Sequence, residues 1–163
     1  MRHALLACPV LLMALAALAP ADTPDADGRL HGSYRFEQDG WIVLHLEGSP
    51  ERIGFQHGYR LSEEIADLLR AVRPYVTHNT KRDWGFFRKA AETMLWKGID
   101  DEYRRELDGL VAGLKARGVA VDRWDIVALN ALEELPDYYV PWLDQKEGKE
   151  PITHAPGNCS AFV

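Results

Sequence analysis

Trp41-Ile-Val-Leu-His-Leu-Glu-Gly-Ser-Pro-Glu-Arg-Ile-Gly-Phe-Gln-His-Gly58 holds two kinds of structure side by side. Its first six residues are aromatic, β-branched or otherwise apolar and read as a strand. Tyr34-Arg35-Phe36 is a shorter run of the same kind, and Gln38-Asp39-Gly40 lies between the two. An Asp-Gly pair between such runs predicts a β-hairpin. Ser49-Pro50-Glu51 then starts a helix, with a hydroxyl at the cap, a proline where no N–H is needed and an acid in the first turn. Gly54 and Gly58 fall inside this helical start, where two missing Cβ atoms permit close packing of backbone against a neighbour. A hairpin giving way to helices places the chain in the α+β class.

Working outward, Leu61, Ile65, Leu68, Val72 and Tyr75 fall on one face at helical spacing, and Pro74 is expected to bend or end that helix. A second helix is expected from Asp83 to Trp96, with Trp84, Phe87, Ala91, Met94 and Leu95 on its apolar side. A third runs from about Asp100 to Arg117, carries Tyr103, Leu107, Leu110, Val111 and Leu114, and is stopped by Gly118. A fourth is capped by Asp122 and carries Trp124, Ile126, Val127, Leu129 and Leu132 until Pro136. Beyond it, Pro141, Gly148, Pro151 and Pro156 mark residues 137–158 as an irregular, exposed linker. Ser160-Ala-Phe-Val163 reads as the opening of a buried strand with nothing of its own to pair with. That implies a chain continuing past Val163, because a hairpin and four helices do not close two layers.

The other end reads as an address. Met1-Arg2-His3 is a short positive stretch, Ala4 to Leu18 is apolar apart from Pro9, and Ala19-Pro20-Ala21 offers small residues for cleavage. This is the pattern of a secretory signal peptide cut after Ala21, and it is too short to span a membrane comfortably. Residues 22–30 follow as an acidic, flexible linker, and residues 31–158 form the folded region. The expected location is secreted or periplasmic, with no transmembrane segment once the signal is removed. A formal charge of −6 without a basic cluster leaves no footprint for nucleic acid. With 27% charged and 47% hydrophobic residues the chain is globular, not disordered.

Of two cysteines, Cys8 leaves with the signal; too few apolar residues precede it for a lipoprotein anchor. Cys159 then stands alone, so no internal disulfide forms, and the thiol serves pairing between chains, packing or chemistry. The mature histidines are His31, His45, His57, His78 and His154. None has the spacing of a metal site, and His45 reads as a packed or edge residue of its strand. No Gly-x-Ser-x-Gly elbow or phosphate-binding glycine loop occurs. No metal or cofactor is therefore expected. Glu63-Glu64 and Asp100-Asp101 read as solvated helix faces and early-turn acids. Cys159 follows a Pro-Gly-Asn turn and precedes a small hydroxyl residue. Were the Asn158–Cys159 peptide cut, the thiol would lie beside its own α-amine, whose pKa of about 7.7–8.0 suits it to take the thiol proton.

Gly48-Ser-Pro-Glu-Arg-Ile-Gly-Phe-Gln-His-Gly58, Leu107-Asp-Gly-Leu-Val-Ala-Gly113, Asp125-Ile-Val-Ala-Leu-Asn130 and Asn158-Cys159-Ser160 together resemble the acyl-coenzyme A:isopenicillin N acyltransferase family. These are autoproteolytic N-terminal-nucleophile hydrolases, and the phospholipase B-like proteins look like relatives. The resemblance runs in order from about Leu46 to Val163. It implies the N-terminal part of a four-layer αββα fold, with an α-chain ending at Asn158 and a catalytic β-chain opening at residues 159–163. Cys159 would cut its own bond to Asn158, then attack an amide or ester carbonyl and form a thioester. Ser160 would stand near the nucleophile in the family's small hydroxyl position. Glu134 falls where the family has an acid, or is a solvated helix-end carboxylate. Where the family often has Gly or Asp before the cysteine, this chain has Asn158. The implied partners are a small amide or ester substrate and the chain's own downstream β-chain. The family's oxyanion donors lie beyond the nucleophile, so residues 1–163 alone are expected neither to process nor to catalyse. A phospholipase B-like ester hydrolase is the near alternative. A small helical exported binding module with a non-catalytic thiol is the alternative of another class.

Overall fold

The computed structural model describes residues 28–149. The hairpin forms as the sequence predicts. Strands β1 (Tyr34–Gln38) and β2 (Trp41–His45) pair antiparallel, with Tyr34 opposite His45 and Gln38 opposite Trp41. Asp39 and Gly40 both take positive φ, 52° and 81°, which is the two-residue turn whose twist matches paired strands. His45 stacks on Tyr34 with ring centroids 4.8 Å apart, as a packed strand residue should.

Six α-helices follow among the described residues: α1 (Pro50–Arg60), α2 (Ser62–Thr80), α3 (Trp84–Ala90), α4 (Asp101–Ala116), α5 (Arg123–Asn130) and α6 (Val140–Lys146). Mixed helix and hairpin make this an α+β arrangement. No helix among the described residues is long and apolar enough to cross a membrane.

The α1–α4 crossing sets the arrangement. A Cβ on Gly54 would overlap the Glu106 carbonyl oxygen, and one on Gly58 the Leu110 carbonyl oxygen. Reciprocally, Gly109 faces the Glu51 carbonyl and Gly113 that of Phe55. Each helix thus sets glycines four residues apart against the other's backbone, the close packing expected of Gly54 and Gly58. Gln56, fully buried, ties this helix to the hairpin's approach. Its Oε1 accepts the Glu47 N–H at 2.9 Å, and its Nε2 donates to the Arg29 carbonyl at 2.9 Å. Arg60 donates to the Ser33 carbonyl at 2.8 Å. Residues 28–30, expected to end a flexible linker, are therefore anchored on α1 at Arg29.

The remaining helices pack into two clusters. One gathers Leu69, Leu110, Leu114, Val121 and Ile126, and the other Val76, Phe87, Ala91, Val127, Leu135 and Val140. Asp125, only 5% exposed, joins three helices. Its Oδ1 accepts from the Trp84 indole N–H at 2.7 Å and from Arg73 at 3.1 Å, while Oδ2 takes the Asp122 N–H at 3.1 Å. Asp122 in turn accepts from Trp124 N–H at 2.9 Å, completing a reciprocal cap at the head of α5.

Several expectations are corrected here. Ser49 occupies the cap of α1, but its side chain makes no capping bond; its carbonyl accepts the Ile53 N–H at 2.9 Å. The helix does not run on to Tyr75. It breaks at Leu61 (φ −113°, ψ 26°), and α2 then continues through Pro74 to Thr80. Pro74 lies on an exposed face, so the Arg70 carbonyl that loses its donor can be hydrated. The buried side of α2 is Leu69, Val72, Val76 and Thr80; Leu68 and Tyr75 are 48% and 63% exposed. Helix α3 is capped by Asp83, whose side chain accepts the Phe86 N–H at 2.9 Å. It runs into a wide π turn (Ala91–Leu95) and a 3₁₀ turn (Trp96–Gly98).

The fourth expected helix stops at Asn130, earlier than Pro136. A second π turn covers Leu135–Tyr139 and leads directly into α6. Leu135 N–H to Ala131 O (3.0 Å) and Asp137 N–H to Glu133 O (3.2 Å) bracket Pro136, so the helical path survives its missing donor. Residues 137–146, expected as irregular linker, are therefore helical. Val140 and Asp144 are buried, and Arg82 bonds the Asp144 carboxylate.

Candidate functional site

Helices α1, α4 and α5 and the π turn after α3 enclose an open cavity of about 650 Å³. The glycine crossing brings His57 of α1 beside α4, because His57 follows Gly54 by three residues and so shares its side of the helix. Helix α4 supplies Tyr103, Glu106, Leu107 and Leu110, and α5 supplies Val127 and Asn130, with Ala131 and Glu134 just beyond. Met94, Leu95 and Ile99 close the remaining side. The π turn places Met94 and Leu95 there; such widened turns recur where a helix must re-aim side chains at a functional site.

The walls are mostly apolar, and their polar groups are few. Burial pushes the His57 imidazole below its ordinary pKa, and the Glu106 carboxylate nearby opposes that shift. His57 is therefore neutral at pH 7. Asn130 turns its amide back to the Ile126 carbonyl at 3.1 Å. Among the described residues, the side chains of Glu106 and Glu134 take part in no hydrogen bond or ion pair. Among the described residues, no lysine or arginine lines the cavity.

Of the residues singled out from sequence, Glu134 lies at this cavity. Asn158, Cys159 and Ser160 lie outside the described residues, as do the signal peptide and His154. The remaining histidines do not converge: His31 precedes the hairpin, His45 ends β2 and His78 lies near the end of α2. No grouping of three or more His, Cys, Asp or Glu suited to a metal ion occurs among the described residues. Sequence reasoning does not reach His57 and Glu106 as a pair. A signal for both is present, since His57 lies between the paired glycines of one motif and Glu106 directly precedes another.

The chain is similar to an uncharacterized protein of Archaeoglobus fulgidus, 29% identical over 98 residues. That match covers 56% of this chain and 16% of the relative, so the chain spans about a sixth of that protein's length. No family model matches the chain. No solved structure matches it.

Proposed function

We propose that this chain is the N-terminal part of an exported, self-processing cysteine N-terminal-nucleophile hydrolase or acyltransferase acting on amide or ester acyl groups. The observation that supports this reading is a convergence. Three of the four stretches that carry the resemblance, Gly48–Gly58, Leu107–Gly113 and Asp125–Asn130, meet at one place. Two of them supply the glycines of the α1–α4 crossing, and all three line the cavity. Motifs that pack together in this way behave as parts of one unit, and the fourth ends on the nucleophile.

In the processing step, Cys159 Sγ attacks the Asn158 carbonyl carbon. The C–N bond breaks, and the thiol proton ends on the nitrogen that becomes the α-amine of Cys159. Water then hydrolyses the thioester, releasing the Asn158 carboxylate and the thiol. In turnover the α-amine takes the thiol proton and the thiolate attacks the substrate carbonyl. The leaving amine or alcohol takes that proton, and water or an acceptor amine discharges the thioester. Ser160, which follows the nucleophile in sequence, supplies the small hydroxyl that the resemblance implies there.

A second reading, a helical exported binding module, is favoured by the cavity, whose lining among the described residues runs from His57 to Glu134. Intact mass of the exported product, beside a Cys159→Ala version, separates the two. The enzyme yields one fragment ending at Asn158 and another beginning at Cys159, with uncut chain in the variant. A single species, the same with and without the thiol, sinks the enzyme reading and leaves the binding module.

A further inference from the structure

We propose that the cavity between α1, α4 and α5 binds an amphiphilic amine, its ammonium group held by Glu106 and Glu134 and its apolar chain or ring lying along the walls. This inference goes beyond the reading of Cys159 and does not depend on it.

The volume, about 650 Å³, falls within the range of small-molecule sites, about 300–1,000 Å³. Leu107, Leu110, Val127 and Ala131 offer the apolar surface that such a ligand covers. The charge is what selects the ligand class. Several carboxylates of the fold are met by arginine, Glu64 by Arg35, Asp108 by Arg123, Asp125 by Arg73 and Asp144 by Arg82. At the cavity, Glu106 and Glu134 have no such partner among the described residues. His57 supplies no positive charge there at neutral pH, because its burial disfavours the imidazolium. An incoming ammonium ion therefore brings the cation that the site lacks. A neutral ligand of the same shape desolvates two carboxylates without replacing their water, and an anionic one adds a like charge.

The test uses three probes of one shape: 4-phenylbutylamine, 4-phenylbutanol and 4-phenylbutanoate. Each is titrated by calorimetry into the full chain and into Cys159→Ala at pH 7.5, so that cleavage at Cys159 and binding are read separately. The amine is expected to bind equally to both proteins and to shift the His57 ring proton resonances. The alcohol is expected to bind at least about tenfold more weakly, and the carboxylate not measurably. Glu106→Gln and Glu134→Gln are each expected to weaken amine binding about tenfold and leave alcohol binding unchanged. Both are isosteric changes, Glu134 at an exposed position and Glu106 at a half-buried one, and circular dichroism reports whether the fold is kept. Equal affinity for amine and alcohol overturns the proposal. So does failure of the amine to bind, or amine affinity unchanged in the Glu106→Gln, Glu134→Gln double variant.

Discussion

The carboxylate of Asp125 and the imidazole of His57 illustrate two ways in which this chain buries an ionisable group. Asp125 is surrounded by donors from the loop before α5, from α2 and from α3, and so remains hydrogen-bonded inside a core of helices. His57 is half-buried against apolar walls, and its electrostatic help among the described residues comes from Glu106. Desolvation dominates, so the folded protein holds the imidazole proton more weakly than the unfolded chain does. Between the lowered folded value and the ordinary value of about 6.5, the unfolded chain binds more protons, and stability rises with pH. The contribution of a neutral His57 is thus complete above about pH 6.5 and is lost as the pH falls below it. Urea midpoints from pH 8 to pH 5 should decline more steeply in the wild-type protein than in His57→Gln. Parallel profiles would show that the site imposes no desolvation on this ring. The role of Asp122 as a cap is local and legible in sequence. The role of Asp125 is not, because Arg73 and Trp84 reach it from 52 and 41 residues away.

Helix α1 shows how a short motif acts through its partner. Pro50 and Glu51 start it, but Gly54 and Gly58 determine how near α4 can come, and Gly109 and Gly113 answer them from the other side. Alanine at Gly54 places a methyl group into the Glu106 carbonyl, so the helices must separate along the whole crossing. Gly54→Ala is expected to cost about 1–3 kcal/mol or more, as overpacking does. Gly98→Ala meets open space and should be close to neutral. Chemical denaturation of the two variants checks this, and equal midpoints would mean that the crossing is not held by backbone contact. The glycine spacing makes close packing legible, yet nothing in the spacing names α4 as the neighbour. Helix α2 is a contrary case. Apolar residues occupy two adjacent phases of its surface, so periodicity permits either Leu68 and Tyr75 or Leu69 and Val76 as the inner side. Packing against α4 and α5 selects the second, burying Leu69 with Leu110, Leu114 and Ile126.

Across the chain, order is unevenly supported. Trp41 is 76% exposed, and Tyr34, Phe36, Ile42 and Val43 are exposed with it, so the hairpin lacks the covered face that makes two strands stable on their own. It is held to the helices by Arg35, which bonds Glu64 at 2.6 Å, and by the anchored approach at Ser33. The α1–α4 pair has dense backbone contact and buried Leu114 beneath it. Hydrogen exchange should therefore open the amides shared by β1 and β2 at least about tenfold faster than those of Leu110 and Leu114. Equal protection would mean that hairpin and helices unfold as one unit.

Local chemistry was enough for the Asp39-Gly40 turn, the cap at Asp122, the stop at Gly118 and the hairpin-then-helix order, because each depends on residues within a few positions of one another. It failed at Leu61, Pro74 and Pro136, where neighbours or solvent absorb a break or a missing donor that the local rule treats as an end. The cavity belongs to the second kind. Its residues stretch from His57 to Glu134 and are apolar or singly charged in unremarkable contexts. Only the approach of α1 to α4, with α5 folded across them, brings His57, Glu106 and Glu134 to a common space, since burial and charge pairing are properties of neighbours in space and not along the chain.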